Sequence, residues 1–208
     1  MCQNTSVNQK PPSESSRPQQ VINAAIEVFL RYGYARTTMA DIAKAAGLTR
    51  PTLYLSFPDK ESIFRAVVET MVETKFTAIR DGVARRSGLD AKLQFACETW
   101  GAEGFEMALA NPDAKDMFDI GFTPVLKSYL AFENLLTDII RKPIEQAGLS
   151  VKAADVARVI VFGMKGFKDI AKDGKEMRKM IAAQTAVVTA ALRPLQSERR
   201  GVIRGPAR

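Results

Sequence analysis

The stretch "TTMADIAKAAGLTRPTLYLSFPDK", Thr37 to Lys60, is punctuated so closely that it can hold only two short helices. Thr38-x-x-Asp41 has the spacing of a capping box and opens the first. Gly47 supplies the left-handed residue that stops it after Ala46. Thr49 caps the second, and Pro51 sits in its first turn, where a missing N–H costs nothing. Pro58 breaks the chain again, and Asp59 caps the next helix. Helices shorter than about 12 residues are marginal in water, so this pair must be held by packing, with Leu53 facing Ile42 and Ala46 and with Phe57 beside it.

The flanking sequence is helical throughout. Ser16-Arg17-Pro18-Gln19 reads as a capped start, followed by Ile22, Ala25, Ile26 and Phe29 at amphipathic spacing, with Gly33 ending that helix. After Asp59, Phe64, Val68, Met71, Val72, Phe76, Ile79 and Val83 mark a long helix that stops near Gly88. Further helical segments are expected over 90–110, 113–121, 123–147, 151–172 and 175–192, with Pro143 kinking or interrupting the third. No window alternates as a strand does, so the expected fold is all-α.

Composition narrows the chemistry. The 208 residues are 46% hydrophobic and 25% charged, enough for a core. Without histidine, Ser-His-Asp and Cys-His nucleophile systems and histidine metal sites are impossible. Cys2 and Cys97 alone make neither a disulfide framework nor a zinc site. No phosphate loop or paired-carboxylate motif is present, so no enzyme, metal or cofactor is expected. "MCQNTSVNQKPPSESSRPQQ" lacks an apolar signal segment, and no apolar run reaches the ~20 residues of a membrane span; the expected location is the cytoplasm. Residues 1–60 carry +3, residues 61–192 are neutral and residues 193–208 carry +4. Such asymmetry suits ends that meet a polyanion and a middle with another task.

Two short helices joined by a glycine turn form a helix-turn-helix, whose second helix fits the major groove of DNA. Only side chains at the exposed start of that helix reach base edges, which selects Thr49, Arg50, Pro51 and Thr52, with Arg50 able to meet a guanine. Tyr54 and Lys60 are expected on the phosphate backbone, and Thr38 can offer a hydroxyl to a phosphate. Phe29 to Val67, "FLRYGYARTTMADIAKAAGLTRPTLYLSFPDKESIFRAV", resembles the N-terminal domain of the TetR family of transcriptional regulators. The resemblance rests on Gly33-Tyr34, Thr37-Thr38, Asp41-Ile42-Ala43, Ala46-Gly47-Leu48-Thr49, Thr52-Leu53-Tyr54, Phe57, Lys60 and Phe64, and departs at Ser56, where many members carry an aromatic residue or histidine.

The resemblance implies a homodimer that binds a double-stranded DNA operator and a small ligand. Its organisation would be a disordered tail (1–15), a three-helix helix-turn-helix domain (16–60), a helical ligand-binding and dimerisation domain (61–192) entered by a long helix, and a basic tail (193–208). For an apolar or aromatic ligand the candidate wall residues are Trp100, Phe105, Phe118, Phe122, Tyr129, Phe132, Met164 and Phe167. The breakable segment "NPDAKDMFDIGFTP" is expected to gate the cavity. The small-residue-rich "ADVARVIVFGMKGF" and "MIAAQTAVVTAAL" are expected to pair two subunits. Repressor is the leading form, with activator or ligand-independent regulator as alternatives. From another class, the helical part could carry apolar molecules beneath a degenerate DNA head.

Overall fold

The computed structural model of the protein describes residues 17–193. The expected tail at 1–15, the Ser16 cap and the basic tail beyond Arg193 therefore lie outside the described residues. Within them every element is helical, and no helix is long and apolar enough to cross a membrane.

Helices α1 (Arg17–Arg36), α2 (Met39–Ala45) and α3 (Arg50–Ser56) pack as a three-helix unit, and α4 (Lys60–Ala84) leads out of it against α1. The caps read from the sequence are those that form. Thr38 and Asp41 make a full capping box at the start of α2, Thr49 accepts from the Thr52 N–H, and Asp59 accepts from the Ser62 N–H. Gly47 adopts φ 65° between α2 and α3. Side-chain burial then fixes the unit: Phe29, Ile42, Leu53 and Phe64 are completely or almost completely removed from solvent. Burying Leu53 alone contributes on the order of 1.5–3 kcal/mol. Gly33 breaks α1 as expected, at φ 78° and ψ 164°, but one further turn follows before α2.

The rest forms a layered bundle of α5 (Leu89–Cys97), α6 (Glu103–Ala110), α7 (Thr123–Ala147), α8 (Ala153–Phe167) and α9 (Gly174–Ala191). Four expectations need correction. The segment read as one helix over 90–110 is α5 and α6 joined by a π-helical turn, Glu98–Ala102, which carries Trp100. The segment read over 113–121 is a 3-10 helix, Pro112–Phe118, distorted at Ala114. Pro112 cannot donate, Asp119 spends its carboxylate on the Gly121 N–H, and Asp116 is drawn away to α1, so no α-helical ladder develops there. The expected interruption at Pro143 does not occur: α7 runs unbroken to Ala147 and ends at Gly148, φ 66°. Neighbouring helices hold it there, since Leu136, Ile140 and Ile144 are buried on both sides of the proline. Finally, α8 stops at Phe167 rather than Lys172, because the chain tightens into three-residue bonds from Lys168 to Lys165, Asp169 to Gly166 and Ile170 to Phe167.

Candidate nucleic-acid interface and ligand cavity

The α3 surface divides as the spacing predicts. Leu53 faces inward with no exposure, while Thr49, Arg50, Pro51 and Tyr54 face solvent and Thr52 is half-buried. Arg50 makes no hydrogen bond or ion pair among the described residues, and the Tyr54 ring, 45% exposed, packs on no other ring. Both are open to an external partner. Thr49 and Thr52 share a hydroxyl–hydroxyl bond of 2.8 Å that fixes the start of the helix. Leu55, 84% exposed on the same helix, is a residue that the sequence reading misses. Its signal is available there, since Leu53 and Leu55 lie about 200° apart on a helix and cannot both face the core.

Two expected DNA-facing residues have other partners. The Thr38 hydroxyl donates to Asp41 Oδ2 at 2.6 Å, and the Asp41 carboxylate itself lies at the start of α2, where a phosphate would have to come. Bonds from the Thr38 hydroxyl and backbone N–H hold the Asp41 carboxyl below the ordinary carboxylate range. Lys60 turns inward: its Nζ donates to the carbonyls of Tyr34 (2.7 Å), Thr37 (2.9 Å) and Ala35 (3.4 Å), and lies 4.4 Å from the Tyr34 ring centre. These are the carbonyls left open where α1 breaks, so the lysine cation satisfies them as a C-terminal cap.

The N–H groups of the same α1–α2 joint are held from the other side. Asp116, on the 3-10 helix, accepts from Tyr34 N at 3.0 Å and Ala35 N at 2.7 Å, and Arg36 pairs with Asp113 at 2.8 Å. Only glycine fits at residue 33: a Cβ there would lie 2.6 Å from the Asp113 carbonyl and 2.8 Å from the Asp116 carboxylate. Tyr34, Phe64 and Phe122 pack ring to ring at 4.6–5.4 Å across this joint.

Below it lies a cavity of about 450 Å³ between α1, α4, the π turn, α6, the 3-10 helix and α7. Of the eight expected wall residues, Trp100, Phe118 and Tyr129 line it. The other five do not. Phe132 is fully buried behind Trp100, stacked on it at 4.8 Å, and Phe122 is spent on the Tyr34–Phe64 joint. Phe105 is buried on another face of α6, Met164 lies under α8 against Gly101, and Phe167 packs on the core at the end of α8. The sequence reading misses Ile26 and Leu30 of α1 and Val68, Met71 and Val72 of α4. Helical spacing alone makes such residues indistinguishable from core. Cys97 is fully buried, and that burial pushes its thiol above the ordinary range. Helix α8 exposes Val159 (68%) and Phe162, and α9 exposes Val187 (72%).

Comparison with known proteins agrees with this geometry. Residues 21–67 match the family described as bacterial regulatory proteins, tetR family. The chain is 41% identical over 68 residues to the HTH-type transcriptional regulator TtgR of Pseudomonas putida, a match covering 33% of this chain and 30% of that protein. The first curated relatives are thus matched over a third or less of their own length. A transcriptional regulator from Cytophaga hutchinsonii superposes with a TM-score of 0.67 at 21% identity, covering 85% of this chain and 97% of that one. The transcriptional regulator FadR of Bacillus subtilis, solved in complex with stearoyl-CoA, gives a TM-score of 0.56 at 17% identity, covering 84% of this chain and 95% of that one. At those identities the likeness is one of fold.

Proposed function

We propose that this chain, which belongs to the TetR family of bacterial regulatory proteins through its N-terminal domain, is a ligand-responsive transcriptional repressor that binds a near-palindromic operator as a homodimer. Arg50, Tyr54 and Leu55 face the DNA, with Thr49, Pro51 and Thr52 forming the leading end of the reading helix. Thr38 and Lys60 act first as frame: one caps α2, the other closes the end of α1. The exposed apolar side chains of α8 and α9 meet those of a second copy. That places two reading helices one DNA turn, ~34–36 Å, apart.

The observation that carries the ligand-responsive reading is a shared wall. Helix α1 belongs to the reading head, yet Ile26 and Leu30 line the cavity. The 3-10 helix supplies Met117 and Phe118 to the same cavity and, through Asp116, grips the joint between α1 and α2. A ligand that binds one arrangement of this wall better than another shifts the head by that difference in affinity. The apolar lining suits an apolar or aromatic occupant, and the FadR complex with stearoyl-CoA supports this for a protein of the same fold.

Selection of random duplex DNA by the purified protein tests the reading. An enriched near-palindrome, lost with Arg50→Ala, is expected. Without an enriched sequence, in the presence or absence of apolar ligands, the chain is a carrier of apolar molecules and not a regulator.

A further inference from the structure

We infer that the cavity takes an amphipathic anion, a long apolar body with one acidic head, and that Lys168 and Tyr129 hold the head. The inference rests on the reading of this cavity as the ligand site. No carboxylate lines the cavity, and the charged residues that do are Lys75 and Lys168. Lys75 is already neutralised by Glu103 at 2.5 Å. Lys168 has no carboxylate within ion-pair distance among the described residues, and its Nζ donates to Tyr129 Oη at 3.1 Å.

Because Tyr129 Oη accepts that bond, its own proton remains to be given. No acceptor takes it among the described residues. The pair therefore presents ammonium and phenol donors together on a wall made mostly of apolar side chains. Thr74 and Ser128, the neighbouring hydroxyls, donate to the carbonyls of Thr70 and Val125 and do not compete. An oxyanion satisfies both open donors with charge-assisted bonds, a neutral head forgoes the charge, and a cation is repelled. The early end of α8 matters here. Lys168 sits in the tightened turn after Phe167.

Trp100 is the chain's one tryptophan and lines the cavity, so its emission reports occupancy. Dodecanoate, dodecyl phosphate, dodecanol and dodecyltrimethylammonium, each below its micelle concentration at neutral pH, are titrated into the full chain. Dodecanoate or dodecyl phosphate is expected to bind roughly tenfold or more tighter than dodecanol, the tighter of the two identifying the acid. Lys168→Met should abolish that preference without lowering Tm, Tyr129→Phe should reduce it, and Lys75→Met should leave most of it. Equal affinity for acid and alcohol, or a preference that survives Lys168→Met, overturns the anion while leaving an apolar ligand site. Silence of Trp100 towards every probe removes the ligand site as well.

Discussion

The reading helix and the cavity are built by opposite means. Helix α3 is seven residues long, capped by its own Thr49, stopped before Pro58, and open on the face that carries Arg50 and Tyr54. Its caps and its stop all lie close along the chain. The cavity instead collects its wall from elements spread between Ile26 and Lys168. The head is therefore sensitive to single anchors and the cavity to the joint that connects it to the head.

The largest effect should come from removing the head's anchor. Leu53→Ala leaves a void under α3 and should cost about 2–5 kcal/mol. In denaturation it should produce an early loss of the head, with ligand-induced change in Trp100 emission kept. Loss of both together would show that head and cavity do not unfold separately.

Arg50→Ala should leave stability unchanged and weaken DNA binding roughly tenfold or more per half-site, by the ~1–3 kcal/mol of a base contact. Fluorescence anisotropy on matched and substituted operators measures it; a uniform loss on all sequences would move Arg50 to the backbone.

Lys60→Met separates the frame from the phosphate role. As a cap on the carbonyls of Tyr34 and Thr37, Lys60 should lower Tm when removed and leave the salt dependence of DNA binding intact. A fall of about one in the salt slope, with Tm unchanged, would return it to the backbone contacts.

Asp116→Ala cuts the link itself. Both DNA and ligand should still bind, but ligand should no longer release the operator, as followed by competition titration. Release as efficient as in the wild type would mean that the message passes through α4 alone.

The smallest effect concerns pH. The Asp41 carboxyl is held low by Thr38, so its contribution to α2 is complete above the ordinary aspartate range and is lost as pH falls through the depressed folded value. Asp41→Asn should flatten that acid limb in circular dichroism, with little change at neutral pH.

The three-helix head is legible because its signals are local. Caps at Thr38, Thr49 and Asp59, the turn at Gly47 and the break at Pro58 act through hydrogen bonds and φ angles within three or four residues of themselves. Their outcome does not depend on distant chain. The boundaries of α7, Thr123 to Ala147, are equally readable from Pro124 near the start and Gly148 after the end. Pro143 does not end the helix, because a proline's local penalty is overruled where buried neighbours such as Ile140 and Ile144 keep the helix continuous.

Tertiary structure alone decided which apolar residues became wall and which became core. Phe132 and Trp100 have the same helical credentials in the sequence, yet one lies fully buried behind the other. It also decided that Lys60 turns to the end of α1, that Asp116 is spent on Tyr34 and Ala35, and that Lys168 meets Tyr129. Each of these joins residues at least 23 positions apart, and no periodicity encodes such a meeting. The sequence by itself determined a capped helix-turn-helix and a helical body, because backbone preferences and hydrophobic spacing act along the chain. The cavity, its donors and its grip on the head arise from packing, which acts across it.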